Sequence, residues 1–281
     1  MGIKKLDNES INHVKKGDLE YIQFKNLSKY DSLVTHCFTT RKGGVSTGEC
    51  STLNMGFNRK DQRENVEANY KRISEALGID YKNMAFSNQV HDSKVRIVTE
   101  NDRGKGILRE SDIIGYDGLI TNCKEVVLVT FYADCVPLFF LDPVKEVIAL
   151  SHSGWRSSVK GIGRETIEKM HENFGCSPVD IVVGIGPSIS QCCFEVGEEV
   201  YEEFAATYPW CTAYIRKTDA DKWHIHLQEI IKKTLVDAGV SNENISISGI
   251  CTKCNKDVFF SHRGDQGKTG SLAAIMQLRN T

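Results

Sequence analysis

The chain has 281 residues, 40% of them hydrophobic, so it can bury a sizeable core as one large or two small domains. Lys and Arg (35) nearly balance Asp and Glu (37), and the formal net charge of -2 argues against nucleic acid or a membrane surface as a partner. The N-terminus lacks the apolar core of a signal peptide, and no apolar run is long enough for a membrane span. A cytoplasmic protein is therefore expected, whose 10 cysteines are thiols or ligands rather than disulfides.

The first part of the chain is polar and then becomes strand-like. Residues 1–20 are expected to form a loose arm or an edge strand, and the apolar run at 33–38 predicts a strand. A Gly/Ser/Thr-rich turn segment follows, in which Arg41 could face an anion, although a solvated arginine is the commoner outcome. Asn54 in the same segment could bind a ligand or satisfy the loop backbone.

A helix and two strands are predicted next. Residues 61–78 place their apolar side chains on one stripe and end at a glycine, which is typical of an amphipathic helix. Residues 84–100 alternate like a strand pair, with Asn88, Gln89 and His91 near the middle. A lone histidine on a strand is more often a structural residue than a ligand.

Three apolar runs between residues 126 and 150 form the centre of the predicted fold. They are short and rich in β-branched and aromatic residues, which predicts buried strands. Asp134 and Cys135 separate the first two runs, and His152 follows the third. A turn and a strand precede them. Asp117 would either cap that turn or hold a ligand hydroxyl, and the turn is the commoner role for an aspartate in this position.

The rest of the chain alternates helices and strands without an abrupt change of composition, so a single domain is expected. The predicted elements are helices at 159–174, 198–208 and 227–239, strands at 179–183 and 245–250, and a short helix at the C-terminus after Arg263.

The cysteines and histidines suggest several metal sites of unequal strength. Cys251 and Cys254 have zinc-knuckle spacing, but only His262 follows at a suitable distance, and a closed site needs four ligands. His224 and His226 alternate with apolar residues, which a half-exposed strand explains equally well.

His91, Cys135 and His152 are scattered along the chain, and their spacing carries no signal. Each lies at the end of a strand-like run beside Asn, Asp, Gly or Arg, where imidazole and thiolate suit zinc or copper. The residues alone therefore leave the metal site open.

Six segments in this order resemble successive blocks of the laccase-domain family: NQVHDSKV, DGLIT, YADCVPLFFLDP, HSGWRSSVKGI, GIGPSIS and FFSHRGDQGKTG. That family was described as multicopper polyphenol oxidase-like and is now understood as zinc-dependent purine nucleoside phosphorylases. The likeness runs from about Phe38 to the C-terminus. It implies one compact α/β (α+β) domain over residues 1–281, with mixed β-sheets flanked by helices and a pocket between strand ends.

The resemblance also assigns site residues. It implies a zinc-binding triad of His91, Cys135 and His152. Arg41 and Asn54 match one substrate-side block of the family and Arg263 another, and Asn88 completes the candidate substrate- and phosphate-binding set. The chain departs from the family at Asp92 and Ser157, where glycine is usual, and these departures bear on substrate preference more than on metal binding.

Three protein ligands leave zinc an open fourth position, which is typical of catalytic sites. The hypothesis is that phosphate held there, steadied by Arg41 or Arg263, attacks the anomeric carbon of a purine nucleoside and gives free base and ribose 1-phosphate. Asp134 would protonate the leaving purine or orient a metal ligand. The second role is favoured, because residues beside metal ligands commonly fix their orientation. The resemblance implies adenosine, inosine, guanosine and 5′-methylthioadenosine as substrates, and an accompanying adenosine deaminase activity.

Three alternatives remain open. A copper-dependent polyphenol oxidase would need about ten histidines, several of them in H-x-H pairs, and this chain has 8 histidines and one such pair, which argues against it. A cysteine hydrolase would use Cys135 as nucleophile, His152 as base and Asp134 or Asn88 to orient it. A partner-binding protein would use zinc only to stabilise its fold. Either a monomer or a homodimer is compatible with the sequence.

Overall fold

Two large β-sheets and one small sheet make up the framework of the chain. The structure is a computed structural model that describes residues 6–219 and 221–280. Its strands are β1 (Ile11–Lys16), β2 (Leu19–Phe24), β3 (Val34–Thr39), β4 (Met84–Phe86), β5 (Val95–Ile97), β6 (Gly118–Thr121), β7 (Val127–Tyr132), β8 (Val136–Asp142), β9 (Val147–Ser153), β10 (Val182–Ile185), β11 (Glu195–Val196), β12 (Ile215–Asp219), β13 (Lys222–Ile225), β14 (Ile245–Ile247) and β15 (Leu272–Leu278). Its helices are α1 (Lys25–Ser28), α2 (Arg63–Leu77), α3 (Trp155–Val159), α4 (Ile162–Phe174), α5 (Glu198–Thr207) and α6 (Leu227–Asp237).

The strand order in the first sheet is β1-β2-β3-β15-β7-β4, in the second β14-β10-β8-β9-β6-β5, and in the third β11-β13-β12. Strands β4 and β7, β5 and β6, and β10 and β14 run parallel, whereas the other paired strands are antiparallel. The expected α/β fold, a single domain with mixed sheets flanked by helices, is confirmed. No helix in the described part of the chain is long and apolar enough to cross a membrane.

The two six-stranded sheets pack against each other through a shared apolar layer. The Phe24 ring of the first sheet lies 5.3 Å from the Phe139 ring of the second, measured between centroids. On β8, Phe139 faces this inner layer, whereas Leu138 and Phe140 face a second layer under α4 and α6. Because both faces of β8 are buried, its sequence is a continuous apolar run. The buried strand predicted here is therefore confirmed.

The predicted helix at 61–78 is confirmed as α2 and covers the outer face of the first sheet. Val66, Tyr70 and Ile73 are buried there against residues of β7 and β15. Each such side chain contributes about 1.5–3 kcal/mol when it leaves water. Gly78 ends the helix at φ 68°, a left-handed conformation that glycine adopts without strain.

Two predictions about local structure need correction. The predicted C-terminal helix is wrong, because Leu272–Leu278 is strand β15 and all of it is buried. The strand pair predicted at 84–100 is also wrong, since β4 and β5 form but belong to different sheets. Within residues 1–20, Ile11–Lys16 is an edge strand, which is one of the two outcomes expected there, and residues 1–5 lie outside the described residues.

The second sheet brings four chain segments to one edge. The turn between β7 and β8 holds Asp134 and Cys135, and the pairing of Pro137 with His152 places the end of β9 beside the start of β8. His152 N donates to the carbonyl of Asp117, just before β6, at 2.7 Å. The loop between β4 and β5 completes this edge with His91.

Candidate metal and substrate site

His91, Cys135 and His152 form a compact cluster at this edge. Their ligand atoms all lie within 4.8 Å of one another, and Cys135 Sγ is 3.8 Å from His91 Nε2. The imidazole rings of His91 and His152 meet edge to face, with 4.8 Å between centroids. His152 is buried, Cys135 is half-buried and His91 is exposed, so the cluster opens toward solvent on one side.

Asp117 organises both histidines from beneath the cluster. Its fully buried Oδ1 accepts hydrogen bonds from His152 Nδ1 at 2.7 Å and from the backbone N–H of His91 at 3.0 Å. Oδ2 accepts from the N–H groups of Val90 and Asp92, both at 2.9 Å. Since His152 Nδ1 is bound, Nε2 is the ring nitrogen left to act as a ligand.

The backbone around the cluster adopts conformations that ordinary residues avoid. His91 has φ 62° and Asp134 has φ 89°, both in the left-handed region, where a side chain is strained. At Gly154, an added Cβ would lie 2.8 Å from His91 Cδ2 and 3.1 Å from Cys135 Sγ. Only glycine therefore leaves room for both ligands at this position.

The charges in the cluster favour a thiolate beside an imidazolium. Burial opposes ionisation of Cys135, but His152 and His91 outweigh it and lower the pKa of the thiol. Burial also opposes the charge on His152, but Cys135 and Asp117 outweigh it and raise the pKa of the imidazole. A metal ion competes with protons for such groups, and two imidazoles with one thiolate fit zinc or copper.

The cluster lines a cavity of about 720 Å³, a size ordinary for small-molecule sites. Its walls include several aromatic side chains, among them Phe86, Phe131, Trp155 and Phe194. Flat apolar walls of this kind suit a planar base.

Asp134 lies in the wall of this cavity, but both of its oxygens are engaged. Oδ1 accepts from Thr252 Oγ1 at 2.6 Å, and Oδ2 accepts from the backbone N–H of Arg263 at 2.7 Å. The side chain therefore positions the two neighbouring segments. The side chain that orients His152 is Asp117, and not Asp134 or Asn88 as the sequence suggested.

The cavity contains two of the four predicted substrate-side residues. Arg263 and Asn88 line it, and both side chains are exposed. Arg263 Nη1 donates to the carbonyl of Glu195 at 3.0 Å, which anchors one end of its guanidinium.

Arg41 and Asn54 are not among the residues that line the cavity. The Arg41 guanidinium donates to the carbonyls of Ser51 and Lys256, at 3.0 and 2.8 Å, and lies over the Phe260 ring. Asn54 is fully buried, and its Oδ1 accepts from the backbone N–H of Ser271 at 2.9 Å. Both residues tie loops together outside the lining of the cavity.

Arg59 and Gln89 are site residues that the sequence did not single out for a role. Arg59 lines the cavity, and its Nε donates to Ser271 Oγ at 2.8 Å. Burial lowers the pKa of Arg59, which reflects a cation held partly away from water. Gln89 bonds both backbone groups of Phe131, at 2.7 and 2.9 Å, and so fixes the loop that carries His91.

The two departures from the family pattern both make contacts beside the cluster. Asp92 Oδ1 accepts from Lys160 Nζ at 2.8 Å, which joins the His91 loop to the end of α3. Ser157 Oγ is buried and donates to the carbonyls of His152 and Gly154, at 3.0 and 3.1 Å. These side chains brace the segments that carry the histidines.

The other candidate metal ligands fall elsewhere. Cys251 and Cys254 meet two further cysteines and not His262, so the expectation that the pair lacks partners is wrong. His224 Nδ1 bonds the carbonyl of Gln191 at 2.6 Å. His226 lies at the start of α6 and is absent from both candidate ligand groups found among the described residues.

Comparison with known proteins gives consistent matches over most of the chain. The family model described as multi-copper polyphenol oxidoreductase laccase matches residues 35–279. A Bacillus subtilis protein named purine nucleoside phosphorylase YlmD is 38% identical over 243 residues, which cover 86% of this chain and 87% of that protein. The crystal structure of YlmD from Geobacillus stearothermophilus has a TM-score of 0.89 at 32% identity, covering 95% of this chain and 99% of that one. The crystal structure of the Bacillus licheniformis hypothetical protein YfiH has a TM-score of 0.88 at 30% identity, covering 98% of both chains.

Proposed function

The chain belongs to the family described as multi-copper polyphenol oxidoreductase laccase, and on that premise we propose that it is a purine nucleoside phosphorylase. The reaction would convert a purine nucleoside and phosphate to the free base and ribose 1-phosphate. Relatives at 35–38% identity carry that name. The observation that carries the proposal is the His91, Cys135 and His152 cluster in the wall of an aromatic cavity that also presents two arginines.

The ligand set fits a catalytic zinc ion. His91 Nε2, Cys135 Sγ and His152 Nε2 would hold it and leave a fourth position open. When bound, zinc supplies a Lewis-acid charge that stabilises an anionic reactant. Copper suits the same ligands, and metal analysis of the purified protein distinguishes the two.

Asp117 would prepare the histidines for this role. Its hydrogen bond to Nδ1 fixes the tautomer and the ring orientation of His152, and its bonds to residues 90–92 fix the strained loop of His91. The cluster is thereby organised before any ligand arrives, which lowers the entropy cost of binding.

Arg263 and Arg59 would bind phosphate. Each has one guanidinium nitrogen anchored within the protein, to Glu195 and Ser271 respectively, and each lines the cavity. Forked hydrogen bonds from guanidinium suit phosphate oxygens, and two cations offset the charge of the anion. We therefore assign to Arg59 the phosphate role that the sequence predicted for Arg41.

The aromatic walls would hold the purine while the sugar faces the phosphate. Phe86, Phe131, Trp155 and Phe194 offer apolar faces for the base. A phosphate oxygen then forms the bond to the anomeric carbon as the bond to the purine nitrogen breaks. The purine keeps the electron pair and takes the proton that the phosphate loses as it becomes an ester, and Asp134 would serve by positioning Arg263 rather than by donating that proton.

The direct test is to mix zinc-loaded protein with inosine and phosphate and to measure hypoxanthine and ribose 1-phosphate. A phosphate-free sample and Cys135→Ala are the controls. Phosphate-dependent base release that the variant lacks is the expected result. Absence of base release from inosine, guanosine, adenosine and 5′-methylthioadenosine would refute the proposal.

Deamination of adenosine is a separate proposal that rests on the family resemblance, and the same cavity would have to present C6 of the base to the metal site. Its test is inosine formation from adenosine without phosphate. Ammonia release that is equal in wild type and Cys135→Ala would assign it to a contaminant.

A cysteine hydrolase is the second candidate, because Cys135, His152 and Asp117 lie in the order of a nucleophile, a base and its orienter. The two candidates respond differently to metal removal. A phosphorylase of the proposed kind loses turnover on chelation and regains it with zinc, whereas a cysteine hydrolase keeps its turnover.

A further inference from the structure

Four cysteines outside the first cluster form a second one. Cys192, Cys193, Cys251 and Cys254 have Sγ atoms that all lie within 4.8 Å of one another. Cys254 Sγ lies 3.6 Å from Cys192 Sγ and 3.5 Å from Cys193 Sγ. A tetrahedral ion with metal–sulfur bonds of about 2.3 Å separates its sulfur ligands by about 3.8 Å. The thiols therefore already stand close to the geometry of a four-sulfur site.

Backbone hydrogen bonds bring the two cysteine pairs together. Thr252 N donates to the carbonyl of Ser188 at 3.0 Å, and Ser188 N donates to that of Ile250 at 3.2 Å, so the two loops run side by side. Ser190 N donates to Cys251 Sγ at 3.5 Å. Amide donors to sulfur favour a thiolate ligand, and loops paired in this way hold the thiols in place before a metal binds.

We propose that these four cysteines bind a structural zinc ion. All four positions of a tetrahedral ion would be filled by protein, which distinguishes this site from the open one at His91. Sulfur-only ligands favour zinc over magnesium or calcium, and each thiol would release its proton on binding. The two sites share no residue, so this proposal does not depend on the phosphorylase activity.

A disulfide is the competing interpretation of close thiols. The sulfur atoms are 3.5 and 3.6 Å apart, whereas a disulfide bond is about 2.05 Å long. One disulfide would use two thiols and leave the other two unexplained. Cys254 lies near both Cys192 and Cys193, which fits a shared ion better than a single pair.

The four-cysteine site lies next to the wall of the substrate cavity. Ile189 and Phe194, which flank the first cysteine pair, line the substrate cavity. Thr252, between Cys251 and Cys254, donates to Asp134 beside Cys135. A zinc ion holding the two loops would therefore stiffen one wall of the cavity.

The first experiment counts zinc in the full chain. Wild type, the double variant Cys251→Ser/Cys254→Ser and the control Cys123→Ser are purified with reductant, loaded with zinc, desalted and analysed by mass spectrometry. Cys123 is a partly exposed thiol outside both clusters, so its replacement should leave the zinc content unchanged. The double variant should hold one zinc equivalent fewer than wild type. Equal zinc in wild type and the double variant would overturn the proposal.

A second measurement keeps the four cysteines intact in case the double variant does not fold. Cys135→Ala lacks the sulfur ligand of the first site, so zinc that it retains should belong to the second. X-ray absorption should then show four sulfur ligands at about 2.3 Å. A shell dominated by nitrogen or oxygen, a protein without zinc, or a thiol titration that finds a disulfide among the four would each overturn the proposal.

Discussion

Asp117→Asn tests whether the carboxylate beneath the cluster prepares the metal ligands. The two oxygens of Asp117 accept four hydrogen bonds, all from N–H donors, at 2.7 to 3.0 Å. An amide of the same shape has one oxygen, and its NH₂ group would face two of those donors. Hydrogen bonds to a charged group contribute about 1.5–3 kcal/mol each, so losing two costs about 3–6 kcal/mol as an upper bound.

The cost should appear in metal affinity as well as in stability. Loss of a residue that orients a metal ligand typically weakens binding about 10–100-fold, and we expect Asp117→Asn to raise the zinc dissociation constant by that factor. Competition with a chromophoric chelator measures the constant, and circular dichroism checks the fold. Asp112→Asn is the matched control, because its largely exposed carboxylate bonds Lys105 and lies outside the site. Zinc affinity within twofold of wild type in a folded Asp117→Asn protein would refute the reasoning.

Other substitutions test the ligand, the arginines and a buried core histidine. Cys135→Ala should lose zinc and turnover at the first site in a folded protein, and retention of both would contradict the assignment. Arg263→Ala and Arg59→Ala should each raise the KM for phosphate about tenfold, a loss of about 1.4 kcal/mol, and equal effects on the nucleoside KM would exclude a phosphate role. Burial lowers the pKa of His36 from 6.5 to about 3, so between these values the unfolded chain binds a proton that the native chain does not. The contribution of the neutral His36 side chain to the free energy of unfolding should therefore be complete above pH 6.5. Below pH 6.5 the free energy of unfolding should fall by about 1.4 kcal/mol per pH unit. Urea unfolding of His36→Gln should show a smaller loss on acidification than wild type, and an identical loss would contradict this account.

The parts of the fold that the sequence predicted are those with one clear physical signal. Helix α2 has a single apolar stripe and a glycine stop, and β8 is a short apolar run with two adjacent aromatic residues, which is typical of a buried strand. Strand β15 lacked such a signal, because both of its faces are buried and its Ala, Met and Leu residues also suit a helix. A continuous apolar run shows that a segment is buried without showing its conformation.

The candidate metal triad was assigned by the family resemblance and not by spacing. His91, Cys135 and His152 come together only through strand pairing, such as that of Pro137 with His152. Asp117 was singled out from its turn pattern, and it does bond a turn, but that turn belongs to residues 90–92. Its second role at His152 depends on the pairing of β6 with β9, which no local pattern encodes.

The sequence also does not show which of two arginine side chains faces the cavity. Arg41 and Arg59 both lie in polar loops, and composition gives neither a direction. Arg41 turns away from the cavity because the carbonyls of Ser51 and Lys256 accept its N–H groups and Phe260 stacks on its guanidinium. Arg59 turns toward the cavity because Ser271 holds its Nε there.

Asp134 connects the cluster of His91, Cys135 and His152 to the four-cysteine cluster through a single carboxylate. Its backbone carries Cys135, its Oδ1 accepts from Thr252 between Cys251 and Cys254, and its Oδ2 accepts from the backbone N–H of Arg263. The left-handed backbone at Asp134 is strained, so these contacts must stabilise it. A change at the four-cysteine cluster would reach the backbone of Arg263 through this carboxylate, and its effect should therefore fall on the proposed phosphate binding before it falls on the candidate ligands at His91.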